Sequence, residues 1–305
     1  MKFALVLASA IALCAAPACA WNDQGHMMVA AVAWETLSPA TKSRAIALLK
    51  LNPDYEMIIA GVPSELQDQV AFVRAATWPD MIKSDPRFTN DGDDNSVPNS
   101  SLNIGYHDNL QHRYWHFIDL PFSTDGSPLI EPKPPNAETR IELFTQTIAS
   151  ETANDDVKSY DLSWLLHLVG DIHQPLHATS RFSHDLPGGD HGGNLVALCA
   201  KPCRDELHAF WDDVLGTSTS AIAAIRAAGR LPKAPAGSDA DPDVQTWAQE
   251  SFAIAKQSAY VAPIGEGRGP FTLTDSYKQT VKQIAETRVA IAGARLAKLL
   301  NSSLR

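Results

Sequence analysis

The segment that decides the fold is an apolar stretch containing two ionisable residues, Leu165-Leu166-His167-Leu168-Val169-Gly170-Asp171-Ile172. His167 and Asp171 are four residues apart, so a helix places both side chains on one face. The apolar residues around them recur at helical spacing, which predicts a buried helix over residues 162–170 with Asp161 as its N-cap. A buried imidazole and carboxylate carry a large desolvation cost unless they have a partner, and a metal ion is such a partner.

A second pair with the same spacing, His208-x3-Asp212, follows His177 along the chain. One such pair alone is more often a surface ion pair than a set of metal ligands. Two pairs, the first of them in a strongly apolar helix, favour metal binding. Imidazole and carboxylate ligands in fourfold coordination suit zinc. Because Pro175 interrupts the first helix, we expect it to direct His177 toward a second ion.

Helical periodicity also dominates the rest of the chain, and alternating β-branched runs are scarce. Ser38-Pro39 is a helix cap followed by a first-turn proline, and the last long helical pattern covers residues 274–300. Residues 89–105, 121–135 and 180–193 are rich in Gly, Pro, Asn, Asp and Ser and are predicted to be surface loops. The expected fold is all-α, a single large multi-helix domain over residues 21–305. A short β-hairpin and disulfide loop is expected to begin with a strand at residues 194–198.

The first 20 residues have the layout of a secretory signal peptide. Lys2 precedes an apolar run over residues 3–13, and small residues follow as far as Ala20. The apolar run is too short to span a bilayer. A lipoprotein would need aliphatic and small residues before one of the leader cysteines, and that lead is not convincing here. We therefore expect cleavage after Ala20, which makes Trp21 the first residue of a secreted or periplasmic protein.

Cysteine content and charge limit what the exported protein can be. Beyond the leader the cysteines are Cys199 and Cys203, and an oxidising compartment favours a small disulfide loop between them. The net charge is −10 for the full chain, and loss of Lys2 makes it −11. This charge argues against a broad basic surface that grips duplex phosphates, whereas bound divalent cations would reverse the sign locally.

Further motifs accompany these pairs, and they are Trp21-x4-His26, Thr77-Trp78-Pro79-Asp80 and Tyr114-Trp115-His116-Phe117. Alone, Asp80 and His116 would be weak signals. In order and spacing, the complete set resembles the S1/P1 nuclease family of secreted nucleases. That family binds three zinc ions and shares an older fold relationship with zinc-dependent phospholipase C.

The resemblance implies three zinc sites. The first zinc would be held by Asp80, His116, His167 and Asp171. The second would be held by His177, His208 and Asp212. The third would take the α-amino group and carbonyl oxygen of Trp21, the side chain of His26, and Asp171 as a bridge to the first. An uncleaved leader would leave an amide at the Trp21 nitrogen, which is a poor ligand, so the precursor should lack a complete site.

The resemblance also implies substrate contacts. Lys83 and Asn194 would lie beside the scissile phosphate, and Asp171 would also orient the attacking water. Phe117 and Asp119 would form a base pocket, in which a ring stacks on a base and a carboxylate accepts hydrogen bonds from its edge. A base that stacks on protein must leave its neighbours, so single strands should be preferred. Ordinary core packing is the alternative role for Phe117.

The function implied is that of an endonuclease. It would hydrolyse single-stranded DNA and RNA to 5′-phosphate products through a water activated by the ions, act on 3′-nucleotides, and work as a monomer without a membrane. A zinc-dependent phospholipase C and a non-catalytic exported zinc-binding protein are the alternatives. Lys83, Phe117 and Asp119 favour the nuclease.

Five histidines have no place in the implied zinc sites. We expect His173 to support the ligands without binding metal. The others lie in loop-like sequence and are expected to be solvated, namely His107, His112, His184 and His191.

Overall fold

The computed structural model describes residues 21–93, 102–200 and 205–304. In these ranges the chain forms eleven α-helices, and they are α1 (Asp23–Thr36), α2 (Pro39–Leu49), α3 (Tyr55–Ile58), α4 (Gln67–Ala75), α5 (Trp78–Met81), α6 (Ala137–Ala149), α7 (Asp155–Asp171), α8 (Leu207–Asp213), α9 (Ala221–Ala228), α10 (Val244–Ile254) and α11 (Asp275–Ser303). Two strands accompany them, β1 (Pro121–Ser123) and β2 (Ser180–Phe182). The all-α fold class is therefore confirmed. None of the helices in the described ranges has the length and apolarity needed to cross a membrane.

Helix α7 is the centre of the fold. Every residue from Lys158 to Asp171 is buried, and α7 packs against helices α1, α2, α6 and α11. It begins earlier than predicted, because the side chain of Asn154 caps it by accepting a hydrogen bond from the Val157 amide at 2.8 Å. Asp161, the expected cap, lies instead in the helix interior and is buried.

Other helix ends agree with the sequence. The Ser38 hydroxyl accepts a hydrogen bond from the Thr41 amide at 3.1 Å, and Pro39 occupies the first turn of α2. The Thr274 hydroxyl accepts one from the Tyr277 amide at 3.2 Å and begins α11. After α7 ends, the chain turns into a short 3₁₀ helix, Pro175–Ala178, which carries His177.

The two strands lie in segments that the sequence predicts as loops. β1 and β2 pair in parallel with the register Pro121↔Ser180, Phe122↔Arg181 and Ser123↔Phe182. The pairing joins segments far apart in sequence, so local turn residues do not reveal it, and both phenylalanines are buried.

The strand predicted at residues 194–198 is reduced to one antiparallel bridge, Ala197↔Glu206. Residues 201–204 are outside the described ranges, and Cys203 is one of them. The Cys199–Cys203 disulfide therefore stays a prediction.

A tryptophan cluster packs helix α5 and the 3₁₀ turn Arg113–Trp115 against α7. Trp164 of α7 lies 4.9 Å from Trp115 and 6.5 Å from Trp78, measured between ring centroids. All three rings are buried, and buried aromatic pairs contribute stability beyond their area. Since Trp115 directly precedes His116 and Trp78 lies two residues before Asp80, this packing brings both polar side chains to the face of α7 that bears His167.

Candidate metal centre

Eight of the nine predicted metal ligands form three groups whose ligand atoms lie within 4.8 Å of one another. The groups are His26, His167 and Asp171; Asp80, His116 and His167; and His177, His208 and Asp212. They come from separate elements: α1, α5, the 3₁₀ turn before His116, α7, the 3₁₀ turn after Pro175, and α8. The fold therefore collects the predicted ligands in one place.

Asp171 joins the first two groups. Its Oδ1 lies 3.2 Å from His26 Nε2, whereas its Oδ2 lies 3.1 Å from His116 Nδ1 and 3.2 Å from His167 Nε2. The two oxygens thus face different histidines, as a bridging carboxylate requires. Burial raises the pKa of Asp171, but attraction to His167 and His26 outweighs it and holds the pKa well below its usual range.

In the second group, the imidazoles of His116 and His167 face Asp80. His116 Nδ1 and His167 Nε2 are 2.9 Å apart, and they lie 3.9 and 3.7 Å from Asp80 Oδ1. The same carboxylate oxygen accepts a hydrogen bond from Lys83 Nζ at 2.6 Å. Lys83 therefore lies beside this group.

In the third group, two imidazoles meet edge to edge. His208 Nε2 lies 3.0 Å from His177 Nε2 and 3.4 Å from Asp212 Oδ2. Gln174 holds the other Asp212 oxygen by donating from Nε2 to Oδ1 at 2.6 Å. Gln174 was not predicted from the sequence. Its position between His173 and Pro175 in a buried segment indicates a polar side chain that needs a hydrogen-bond partner.

Backbone carbonyls fix the orientation of three of the histidines. His167 donates from Nδ1 to the carbonyl of Ala76 at 2.7 Å, and His177 donates from Nδ1 to the carbonyl of His116 at 2.7 Å. His208 donates from Nδ1 to the carbonyl of Gly192 at 2.8 Å. A neutral imidazole that donates from Nδ1 has a lone pair on Nε2, which is the usual arrangement around a metal.

The residues fit a metal because their ligand atoms otherwise lack partners. With Nδ1 protonated on His177 and His208, two lone pairs point at each other across 3.0 Å. Among the described residues, His26 Nε2 and Asp171 Oδ1 are also buried without a hydrogen-bond partner. Buried polar atoms without partners are costly. A cation among them removes that cost, and nitrogen and oxygen donors suit zinc.

Burial also keeps three of the imidazoles in the form that binds metal. Burial, and next the charge of His167, lower the pKa of His26 to about 4. Burial, and next Lys83, lower the pKa of His116 to about 3, while burial and His177 lower that of His208 to about 3. Neutral histidine is the metal-binding species, so these three imidazoles have no proton to lose near neutral pH. His167 and Asp212 differ, because the effect of burial on His167 is outweighed by attraction to Asp171, which raises the pKa of His167, and burial raises the pKa of Asp212.

Trp21 packs directly against the first group. The residue is fully buried, and a Cβ at Gly25 would lie only 2.6 Å from Trp21 Cβ. A Cβ at Gly170 would lie 2.9 Å from His26 Nδ1 and 3.8 Å from Trp21 Cδ1. Glycine at position 170 leaves room beside α7 for the His26 ring and the Trp21 ring.

A cavity of about 180 Å³ lies next to the metal centre and has both predicted substrate residues in its wall. Phe117 directly follows His116, is only partly buried, and packs against the hydrophobic core at the cavity wall. Asp119 and Phe182 line the same cavity. Burial, and next repulsion from Asp190, raise the pKa of Asp119 to about 7. Its carboxyl group can therefore accept or donate a hydrogen bond near neutral pH.

Asn194 lies in the loop that supports the third group. Its Nδ2 donates to His191 O at 2.6 Å, and the carbonyl of Gly192, two residues earlier, accepts the His208 hydrogen bond. The side chain is partly exposed, so a substrate can reach it.

The remaining histidines divide into two kinds. His173 donates from Nδ1 to Val169 O at 2.7 Å, and its Nε2 accepts from Arg295 at 2.9 Å, so it supports the end of α7 as expected. The expectation for His112 is wrong, because this residue is buried and stacks on Trp115 with 3.5 Å between ring centroids. Asp108 lies 2.8 Å from its Nε2 and raises its pKa against the effect of burial.

Comparison with known proteins agrees with this geometry. The chain is 24% identical to Endonuclease 4 of Arabidopsis thaliana over 92% of this chain and 88% of that protein. It is 26% identical to Endonuclease 3 of the same plant, with the same coverage. It is 22% identical to Nuclease P1 of Penicillium citrinum over 79% of this chain and 69% of that protein. The profile of the family described as S1/P1 Nuclease matches residues 21–305, and the chain therefore belongs to the S1/P1 nuclease family.

Proposed function

We propose that this nuclease is a zinc-dependent endonuclease that hydrolyses single-stranded DNA and RNA to 5′-phosphate products and also removes phosphate from 3′-nucleotides. The observation that carries the proposal is the position of Asp171, which faces His26 with one oxygen and both His116 and His167 with the other. Names of its relatives, such as Nuclease P1, agree with a nucleic acid substrate.

Three zinc ions held by the three groups would attract phosphate oxygens and make water easier to ionise. The residues of the chain supply the rest. Asp171 holds two groups at a fixed separation and accepts a hydrogen bond from the attacking water, which orients it toward phosphorus. Lys83 and Asn194 donate to phosphate oxygens, and the positive charge of Lys83 stabilises the charge that develops there.

The cavity lined by Phe117 and Asp119 would select single strands. One face of a base stacks on Phe117, which contributes roughly 1–3 kcal/mol for any base. Asp119 binds the base edge. A paired and stacked base in a duplex cannot enter this cavity without leaving the helix, so duplex DNA should be a poor substrate. An anionic protein also lacks the broad basic surface that would hold a duplex.

One digestion series tests the proposal. The purified protein is incubated with single-stranded DNA, duplex DNA, RNA, a 3′-nucleotide and phosphatidylcholine, before and after chelation and again after zinc is restored. We expect hydrolysis of the single strands and the 3′-nucleotide, loss with chelator and recovery with zinc. Full activity in chelator would refute the metal mechanism. Cleavage of phosphatidylcholine alone would favour the phospholipase, and zinc binding without any hydrolysis would favour the non-catalytic protein.

We also propose that removal of residues 1–20 completes the metal centre, so that export and activation coincide. Only after cleavage does Trp21 have an α-amino group, and the buried Trp21 ring lies near Gly170, the residue before Asp171. Adding one alanine before Trp21 should remove about one zinc per chain and impair hydrolysis, which zinc analysis and rate measurements would show. The control has the same extension at the C-terminus. An N-terminally extended protein with three zinc ions and full activity would exclude Trp21 as a ligand.

A further inference from the structure

A second cavity, of about 160 Å³, lies beside the metal centre on another side. It is nearly the same size as the cavity that contains Phe117 and Asp119, and the two share no lining residue. Its walls come from the starts of α1 and α5 and from α3 and α4, and the residues that matter here are Asp23, Met57, Arg74, Thr77, Trp78 and Met81.

The second cavity adjoins the ligands at one end. Trp78 and Met81 are the first and last residues of α5, the short helix that carries Asp80. Asp23 is the first residue of α1, two residues after Trp21. Its carboxylate is close enough to Asp80 and His167 to interact with them electrostatically. A phosphate bound at the metal centre would therefore have this cavity near it as well as the Phe117 cavity.

The walls of the second cavity suit a flat heteroaromatic ring. Met27, Met57 and Met81 present thioethers, which make favourable contacts with aromatic rings of varied shape. Trp78 is held in place by donating from Nε1 to Asp54 Oδ2 at 2.9 Å. This wall binds rings without selecting one base over another.

The polar groups of the cavity match the edge of a nucleobase and the strand attached to it. Asp23 offers an acceptor and the Thr77 hydroxyl offers both a donor and an acceptor. Arg74 donates from NH1 to Ile58 O at 2.7 Å, which fixes its guanidinium in the cavity wall and places a positive charge near the path of an anionic strand. Met57 is 52% exposed at the rim, so the cavity is open to a ligand from solvent.

We propose that this second cavity binds the nucleoside on the 3′ side of the scissile phosphate, the one that keeps the phosphate in the product. The proposal rests on the proposed function. A phosphodiester has two nucleosides, and a 3′-nucleotide has only the one whose 3′ oxygen leaves. If 3′-nucleotides are substrates, that nucleoside occupies the Phe117 cavity, and the Met-lined cavity is left for its neighbour.

The test compares two dinucleoside monophosphates that differ only in the base on the 3′ residue. One is thymidylyl-thymidine, and the other has an abasic 3′ residue in place of the second thymidine. The zinc-loaded full-length mature protein should cleave the first with a kcat/KM at least about fivefold higher, the lower limit expected for binding a base against protein rings. This ratio is measured within one protein sample, so it does not depend on the fraction of active enzyme.

A variant then assigns the effect to the cavity. Met57→Ala should lower the ratio by about two- to tenfold, because it removes a thioether–base contact. Leu51→Ala is the matched control, since Leu51 is 46% exposed and lies outside both cavities, and it should keep the wild-type ratio. A wild-type ratio near one, or a Met57→Ala ratio equal to that of wild type, would overturn the inference. If the zinc-loaded protein cleaves neither dinucleotide, nor long single strands, nor 3′-nucleotides, the proposed function itself has failed.

Discussion

At the scale of single residues, Asp171 is the side chain on which the metal centre depends most. Other carboxylates of the centre belong to one ligand group, whereas the two oxygens of Asp171 face His26 on one side and His116 and His167 on the other. Hydrogen bonds and charge already hold this carboxylate ionised in a fully buried position. Its charge and its two equivalent oxygens are therefore both needed, and an amide has neither.

Substitution of Asp171→Asn tests that dependence. We expect loss of zinc and a fall in kcat/KM of more than about 100-fold. Removing a residue that only hydrogen-bonds to a metal ligand can already cost about 100-fold, and Asp171 is itself a proposed ligand. Zinc analysis and single-strand hydrolysis are the measurements. Asp275→Asn makes the same chemical change on a fully exposed residue and should leave both values unchanged. A variant of Asp171 with full zinc and full rate would refute the bridging role.

Asp161 is the second residue whose environment predicts a measurable effect, here on stability. Its carboxylate accepts a hydrogen bond from Asn103 Nδ2 at 2.7 Å inside the core, and burial raises its pKa to about 8. The folded protein therefore holds a proton here that the unfolded chain releases above the usual Asp pKa of about 4. Stability from this group is complete below that value and is lost as the pH rises toward 8.

Asp161→Asn should remove this pH dependence. Between pH 5 and 8 the wild-type free energy of unfolding should fall relative to that of the variant by at most about 1.4 kcal/mol per pH unit. Urea unfolding at both pH values measures the difference, and using the variant as reference cancels the titration of other groups. Equal pH dependence in the two proteins would show that Asp161 is ionised in the folded state.

At the scale of elements, the contact between α1 and α7 determines whether His26 reaches Asp171. The helices approach closely because Gly170 has no side chain, and the His26 ring stacks on His167 with 3.7 Å between centroids. A single methyl group at Gly170 would lie 2.9 Å from His26 Nδ1, which is closer than carbon and nitrogen atoms can pack. The two helices cannot keep this distance with any larger residue at the position.

Gly170→Ala should therefore move His26 away from the metal centre. We expect the loss of about one zinc per chain and a fall in activity of about 10- to 100-fold, the size of effect that small displacements of catalytic groups produce. Gly229→Ala is the control, because its new methyl group would meet only carbonyl oxygens at 3.7 Å. Normal zinc content in Gly170→Ala would mean that α1 can shift without cost to the site.

The sequence predicts those elements whose stabilising contacts lie between residues that are close in the chain. His167, Asp171, His208 and Asp212 could be recognised because a spacing of four places each pair on one helix face. The ends of α2 and α11 could be recognised because their caps lie next to them. The pairing of β1 with β2 could not, since its partners come together only when the chain has folded.

The same distinction explains the errors at single residues. His112 lies in loop-like sequence, but it is buried because Trp115 stacks on it and Asp108 and Asp91 pair with it. Asp161 has the sequence features of a helix cap, but Asn154 caps the helix about two turns earlier and leaves Asp161 in the core, where Asn103 binds it. In each case one partner comes from a distant segment, since Asp91 lies 21 residues from His112 and Asn103 lies 58 residues from Asp161.

At the scale of the whole molecule, the metal ligands connect elements from most of the chain. His26 is near the start of the domain, His208 and Asp212 lie in α8, and the segments between them carry the other ligands. Without metal, the same groups bury imidazoles and carboxylates together, and the Nε2 lone pairs of His177 and His208 face each other. The centre should therefore oppose folding when empty and stabilise the fold when filled.

Zinc removal should lower the unfolding temperature for this reason. At a zinc concentration about 100 times the dissociation constant, binding to the folded state alone contributes about 2.7 kcal/mol. For a domain of this size, that corresponds to a shift of about 5 to 10 °C.

Thermal unfolding is measured with chelator, with chelator already saturated by zinc as the control, and after excess zinc is restored. We expect a lower unfolding midpoint only with free chelator, and recovery of the midpoint when zinc is restored. The same midpoint in all three samples would mean that the His and Asp groups do not bind metal in the folded protein. In Asp171→Asn the shift should be smaller than in wild type, because fewer ions remain to be removed.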